Sequence, residues 1–187
     1  MGPFVIGFLS AMVIIFVCAW ASFRFGHPPV AVADPPFPFE AQIVRVPLGA
    51  RIQSELQKAP FGTSEDQFEA GAKIYAASCA SCHGTPKQTV RFARYMYPQA
   101  PQLFRKHNNS AVVGVSDDEA GETFWKIKNG IRLTGMPAYQ RIYSDTEMWD
   151  VALLLKNADQ PLPDPVTKLL EQETATPAVA TAPLSPK

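Results

Sequence analysis

Cysteine is scarce in this chain: 3 residues in 187, of which Cys79 and Cys82 stand three positions apart and Cys18 lies in an apolar N-terminal run. A structural zinc site of the usual four-ligand kind therefore lacks its second cysteine pair. Net charge is absent too, 17 basic side chains balancing 17 acidic ones, so nothing calls for a nucleic-acid partner. Convincing runs of alternating apolar and polar residues, the mark of half-buried strands, are missing, and the fold class expected is all-α. No internal repeat is apparent. Charge of either sign is missing from Met1 to Phe23.

That uncharged stretch contains Pro3 to Phe23 (PFVIGFLSAMVIIFVCAWASF), 21 mostly apolar residues ending just before Arg24. At about 1.5 Å per residue such a helix matches a hydrocarbon core about 30 Å thick. The favoured reading is a single transmembrane helix: an uncleaved signal anchor over 1–25 that meets membrane lipid through residues 3–23. A cleaved signal peptide is the rival, because Ala19-Trp20-Ala21 has a small-x-small pattern, but the run is long and no Lys or Arg precedes it. Cys18 follows Val17, a poor residue before a lipidated cysteine, and reads as a membrane-buried thiol.

Repeated prolines mark the next segment, His27 to Pro47 (HPPVAVADPPFPFEAQIVRVP), which has no helical period and reads as an extended tether. The linker is placed over 26–62. At the far end, 172–187 is an Ala/Thr/Pro tail expected to be disordered. Between them, 63–171 forms the compact domain. Three helices are predicted in it: Glu65 to Ser78 behind a Ser64/Gln67 capping box, about Asp117 to Asn129 behind Ser116/Glu119 with Gly130 as the stop, and about Asp145 to Asn157 behind Ser144/Glu147. Three short helices make a thin core for a hundred residues, which leaves room for another group at the centre.

The first of those helices runs into Cys79-Ala80-Ser81-Cys82-His83, a C-x-x-C-H arrangement. Thiols three residues apart at a helix end lie on one side, where each can form a thioether to one edge of a porphyrin. The following histidine is then placed to reach the iron. A redox dithiol would normally open a helix after a strand, whereas this motif closes one. Haem attachment is favoured over both the dithiol and zinc. An iron held by His83 needs a ligand, water or a vacancy opposite, and the candidates are methionines and histidines. Met136 stands in NGIRLTGMPAY, a loop-like stretch between helices with Gly135 and Pro137 beside it. Met96 lies in RYMYP, Met148 is more simply a core residue, His107 in RKHNNS reads as an exposed loop residue, and His27 lies at the membrane edge.

Over roughly Ser64 to Asn157 the chain resembles the class I monohaem cytochromes c: a first helix ending in C-x-x-C-H, a Pro-x-Leu stretch, a helix, a Met-Pro loop and a last helix with a Trp. The resemblance implies a cytochrome c-like helical domain around one covalent haem c. Cys79 and Cys82 would carry the thioethers, His83 would be the proximal ligand and Met136 the distal one. Pro101, in Pro101-Gln102-Leu103, would accept the proximal histidine's hydrogen bond, with Leu103 beside it; Ala100 stands where the family often has Gly. Gly71 and Tyr75 match positions where the first helix crosses the last near Trp149. Arg91, Arg94, Tyr95, Tyr97 and Trp125 are candidates for the haem propionates, with surface or core roles as the plain alternatives.

His/Met ligation saturates the iron and raises its reduction potential relative to two imidazoles. The implied function is one-electron transfer rather than enzymatic turnover, with no catalytic residue and no small-molecule substrate. Expected partners are redox proteins: a quinol-oxidising complex, a dehydrogenase or a terminal oxidase. Covalent haem attachment in bacterial members of the family takes place outside the cytoplasmic membrane. The expected location is therefore the bacterial inner membrane, single-pass, with the haem domain in the periplasm, although Arg24 would then lie on the outer side. A haem enzyme or gas sensor with a displaceable distal ligand, or a mainly structural haem subunit, is the alternative. Charges from Gly84 to Asn108 are all positive (Lys87, Arg91, Arg94, Arg105, Lys106) and Asp117, Asp118, Glu119 and Glu122 follow; two solvated surface stretches are the plain reading and a polarised docking face is the sharper alternative.

Overall fold

A computed structural model describes residues 2–106 and 111–171. The expected disordered tail at 172–187, and His107, lie outside the described residues. The chain divides into two compact units, one up to Glu40 and one from Ala41.

The first unit is dominated by α1 (Gly2–Phe25), 24 residues with no buried side chain and Arg24 as its only charge. It is long and apolar enough to cross a membrane, about 36 Å at the usual helical rise. Beyond it, Asp34 accepts bonds from the Val30 and Ala31 N–H groups at 3.0 and 2.9 Å, and Glu40 accepts one from Phe37 N–H at 2.9 Å.

The expectation of an extended tether across 26–62 does not hold at its C-terminal end, where α2 (Glu40–Ser54) forms with Pro47 inside it. Proline lacks the N–H for one helical bond and argues against helix in a sequence reading. The residues flanking it are apolar on two sides of the helix, which blurs the 3.6-residue period. Ile52 of α2 is buried and Leu48 half-buried.

The second unit is all-helical among the described residues, its one β feature an isolated bridge between Lys106 and Val113. Helix α3 (Glu65–Ser78) starts where predicted, the Ser64 hydroxyl accepting Gln67 N–H. The C-x-x-C-H motif follows as α4 (Ala80–His83), then come α5 (Ala120–Asn129), α6 (Asp145–Lys156) and α7 (Asp164–Glu171). Helix α5 begins three residues later than expected. Ser116 is buried and its carbonyl accepts Lys156 Nζ at 2.9 Å, so it serves a turn and Glu119 becomes the N-cap. The capping box at Ser144/Glu147 is complete, and α6 starts behind it at Asp145.

Helix α6 is buried continuously from Met148 to Leu155, as befits a helix apolar on most of its circumference. It crosses α3 at Gly71, where an added Cβ would stand 2.5 Å from the Asp150 carbonyl oxygen. On its other flank Trp149 stacks on Phe124 of α5 with ring centroids 4.1 Å apart. Helix α7, not foreseen, packs on α3 and buries Val166 and Leu170, an i, i+4 pair.

Candidate functional site

The motif sits where α3 ends and the chain turns. Cys79 closes α3, its N–H bonded to the Tyr75 carbonyl at 2.8 Å, and begins α4 through bonds from Cys82 and His83 N–H to its own carbonyl at 3.1 and 2.9 Å. Gly84, at φ +74°, ends that single turn. A side chain there would meet Gln102 Oε1 and the Gln88 carbonyl at 2.6 Å, which suits glycine's positive φ and lack of Cβ. The fully buried Tyr75 donates its hydroxyl to the Gly84 carbonyl at 2.8 Å, so α3 also holds the far end of the motif.

His83 Nδ1 lies 2.8 Å from the Pro101 carbonyl oxygen. A carbonyl can only accept, so the proton is on Nδ1 and Nε2 carries the lone pair. Burial lowers the imidazole pKa below its ordinary value, opposed by the Pro101 bond; the neutral, ligand-competent form is thereby favoured. Gln102 clasps the same turn. Its Nε2 donates to the Cys82 carbonyl at 3.1 Å, its Oε1 accepts Val90 N–H at 2.8 Å, and Leu103 N–H bonds the His83 carbonyl at 3.1 Å.

Met136 comes from the loop after α5. Its N–H donates to Thr134 Oγ1 at 3.1 Å, and that hydroxyl donates to the Ile131 carbonyl at 2.7 Å. Gly130, at φ +66°, lets the end of α5 lie against the loop, since a Cβ there would be 2.9 Å from the Met136 carbonyl. Two residues beyond Pro137, Tyr139 ties the chain back to the motif by donating to the Ser78 carbonyl at 2.8 Å.

Cys79, Cys82, His83, Pro101, Leu103 and Met136 all line one cavity of about 230 Å³, with Met96, Ile127, Val151 and Leu155 among its other walls. One water needs roughly 10–15 Å³ by this measure, so the space suits a large organic group rather than an ion. The donor set fits haem: two thiols at one edge, one neutral imidazole, one thioether and an aliphatic lining. Burial, with Cys82 nearby, pushes the Cys79 thiol up to about 12, the opposite of what a redox dithiol or a thiolate metal ligand needs. Among the described residues no three His, Cys, Asp or Glu side chains gather into a metal site.

Residues 66–155 match the family model described as cytochrome C oxidase, cbb3-type, subunit III. The match covers just under half of the chain and supports a c-type cytochrome with a haem-based role in electron transfer. No curated protein and no solved structure matches the chain. The all-helical domain described above is cytochrome c-like, and an apolar helix that could span a membrane precedes it.

None of the five propionate candidates lines the cavity. Arg91, Arg94, Tyr95 and Tyr97 are exposed. Trp125 is buried and donates Nε1–H to Glu55 Oε2 at 2.7 Å, which fastens the segment after α2 to α5. Met148 is 1% exposed in the core and away from the cavity wall. Of the residues expected to polarise a docking face, Asp118 and Glu122 pair with Lys126, and Lys87 pairs with Glu171. The roles of Gln102 and Thr134 were not foreseen. Gln102 is the variable middle residue of Pro-x-Leu, and only a turn-level reading of Thr134-Gly135 would have singled out the other.

Proposed function

We propose that this protein is a membrane-anchored one-electron carrier in which Cys79 and Cys82 hold one haem c covalently, His83 is the proximal ligand and Met136 the distal one. The observation that carries this reading is the convergence of the four groups on one apolar cavity, with His83 already oriented by the Pro101 carbonyl. Bound there, haem c would supply exchange of a single electron between the ferric and ferrous states.

The chain's own residues prepare that exchange. The Pro101 carbonyl fixes the imidazole tautomer and raises the basicity of Nε2. Thr134, Gly130 and Tyr139 hold the Met136 loop at three points, so that the thioether is presented by a restrained backbone in either oxidation state. Leu103, Ile127, Val151 and Leu155 exclude water, which keeps the dielectric low and limits reorganisation on charge transfer.

The anchor reading supplies the setting: a single span in the bacterial inner membrane with the haem domain on the periplasmic side. The name of the matching family points to a terminal oxidase complex as the first partner to test, ahead of a quinol-oxidising complex or a dehydrogenase. Exposed Arg91 and Arg94 would steer an acidic partner surface towards the domain. The covalent assignment is tested by denaturing the purified protein and extracting it with acidified acetone. Haem is expected to stay with the wild-type polypeptide and to be lost from the Cys79→Ser/Cys82→Ser variant. Free haem extracted from the wild type refutes the attachment.

A further inference from the structure

Helix α2 has two apolar faces, and only one of them is used by the domain. Ile52 is buried and Leu48 half-buried, and just past the C-terminus of α2 Glu55 takes the Trp125 bond. Ile43, Val46, Pro47 and Ala50 fall at i, i+3, i+4 and i+7, one stripe along the helix. Ile52 comes nine residues after Ile43, half a turn round the axis at 3.6 residues per turn. All four stripe residues are exposed, Ile43 at 69% and Val46 at 71%. No charged side chain interrupts the stripe. Arg51, eight residues after Ile43 and so about 80° round the axis, borders the stripe and pairs with Glu55 at 3.0 Å.

An aliphatic stripe of this kind on the outside of a helix needs a cover. The sequence supplies one close by. Helix α1 ends at Phe25 and α2 begins at Glu40, so the chain between them reaches at most about 50 Å when fully extended. If α1 spans a bilayer, the start of α2 stays within about 50 Å of that bilayer's surface, a reach that lets it return to the interface. A helix with an apolar stripe and a flanking arginine suits the boundary between headgroups and acyl chains.

We infer that the Ile43/Val46/Pro47/Ala50 face of α2 lies in the lipid interface and docks the haem domain on the membrane. The inference rests on the reading of α1 as a membrane span. It replaces a freely swinging carrier with one held at a fixed attitude, because α2 is fastened to α5 through Glu55 and Trp125.

The test uses the full-length haem-loaded protein in phosphatidylcholine/phosphatidylglycerol vesicles. On a Cys18→Ser background, nitroxide labels are placed singly at Ile43→Cys, Val46→Cys, Gly49→Cys and Ile14→Cys. Gly49 is exposed on another side of α2, with nothing within 4 Å of an added Cβ, and Ile14 reports on α1. Collision with oxygen, which partitions into lipid, is compared with collision with a water-soluble nickel chelate. The oxygen-to-nickel ratio at 43 and 46 is expected to exceed that at 49 at least threefold, with 14 higher still. A high ratio at 14 with equal ratios at 43, 46 and 49 overturns the docking inference and leaves the span intact. Low accessibility to both reagents at 43 and 46 means that protein covers the stripe, and also overturns it. A water-accessible 14 overturns the span reading, and the docking inference with it.

Discussion

Two glycines in helices should respond with opposite sign to the same methyl group. Gly71→Ala places a Cβ 2.5 Å from the Asp150 carbonyl oxygen, 2.7 Å from its carbon and 3.1 Å from Val151 N. All three are backbone atoms, so no side chain can rotate away, and ordinary contact requires α3 and α6 to part by about 1 Å. Overpacking of this sort costs about 1–3 kcal/mol, and separating the helices also loosens the stacked contacts of α6. Against that, alanine in place of glycine within a helix gains about 0.5–1 kcal/mol. The net expectation for Gly71→Ala is a loss of about 1 kcal/mol, which for a domain of this size lowers the melting temperature by about 4–8 °C. Gly49→Ala in α2 meets open space, so only the helix gain remains and stability should rise by about 0.5–1 kcal/mol. Both are measured by thermal and urea unfolding of the haem-loaded protein, followed by far-ultraviolet circular dichroism. A Gly71→Ala variant as stable as the wild type would mean that the α3/α6 crossing is not set by backbone contact, and the account of why a glycine stands there would be wrong.

Three further substitutions probe other joints. Tyr75→Phe strips the buried Gly84 carbonyl of its donor and should cost about 1–3 kcal/mol; a change below about 0.3 kcal/mol in urea unfolding would show that the bond does not hold the motif. Ser144→Ala removes the N-cap of α6 and should cost about 1 kcal/mol, against no measurable effect if the capping box is ornamental. Asp150 has a buried Oδ1 with no hydrogen-bond partner among the described residues, and burial together with Glu147 raises its pKa. The folded state then binds more protons than the unfolded one as pH climbs past the ordinary aspartate value of about 3.9. This carboxyl therefore takes stability away as pH rises, and Asp150→Asn should gain on the wild type in urea unfolding between pH 3 and pH 7. A constant difference across that range would show that Asp150 is not held in a raised state.

Much of the site was legible because its residues are local in sequence. Cys79, Cys82 and His83 lie within one turn, and the Ser64 and Ser144 caps announce the helices that carry and cross it. Ser116 has the same local signature as those caps, yet it was drawn into a turn by contacts with α6 that no local pattern reveals. Helix α2 stayed hidden because Pro47 interrupts it and because its apolar residues divide between two faces. The five propionate candidates have suitable donors by residue type alone. Trp125 turned out to be directed to Glu55, a pairing across 70 residues that only the fold could bring together. Gln102, by contrast, acts through a side chain whose partners, Cys82 and Val90, lie 20 and 12 residues back in the chain, so its identity alone gave no signal.

Two methionines, Met96 and Met136, line the same cavity, and the proposed electron carrier requires Met136, not Met96, as the distal ligand of a haem held there. The most direct measurement is the oxidised and reduced optical spectrum of the wild type beside Met136→Ala and Met96→Ala, with carbon monoxide added to each reduced sample. The wild type should be low-spin, inert to carbon monoxide and carry the weak long-wavelength band of methionine bound to ferric iron; Met136→Ala should lose that band and bind carbon monoxide, while Met96→Ala keeps the wild-type spectrum. A high-spin or carbon monoxide-binding wild type, or a band that disappears with Met96 rather than Met136, contradicts the account.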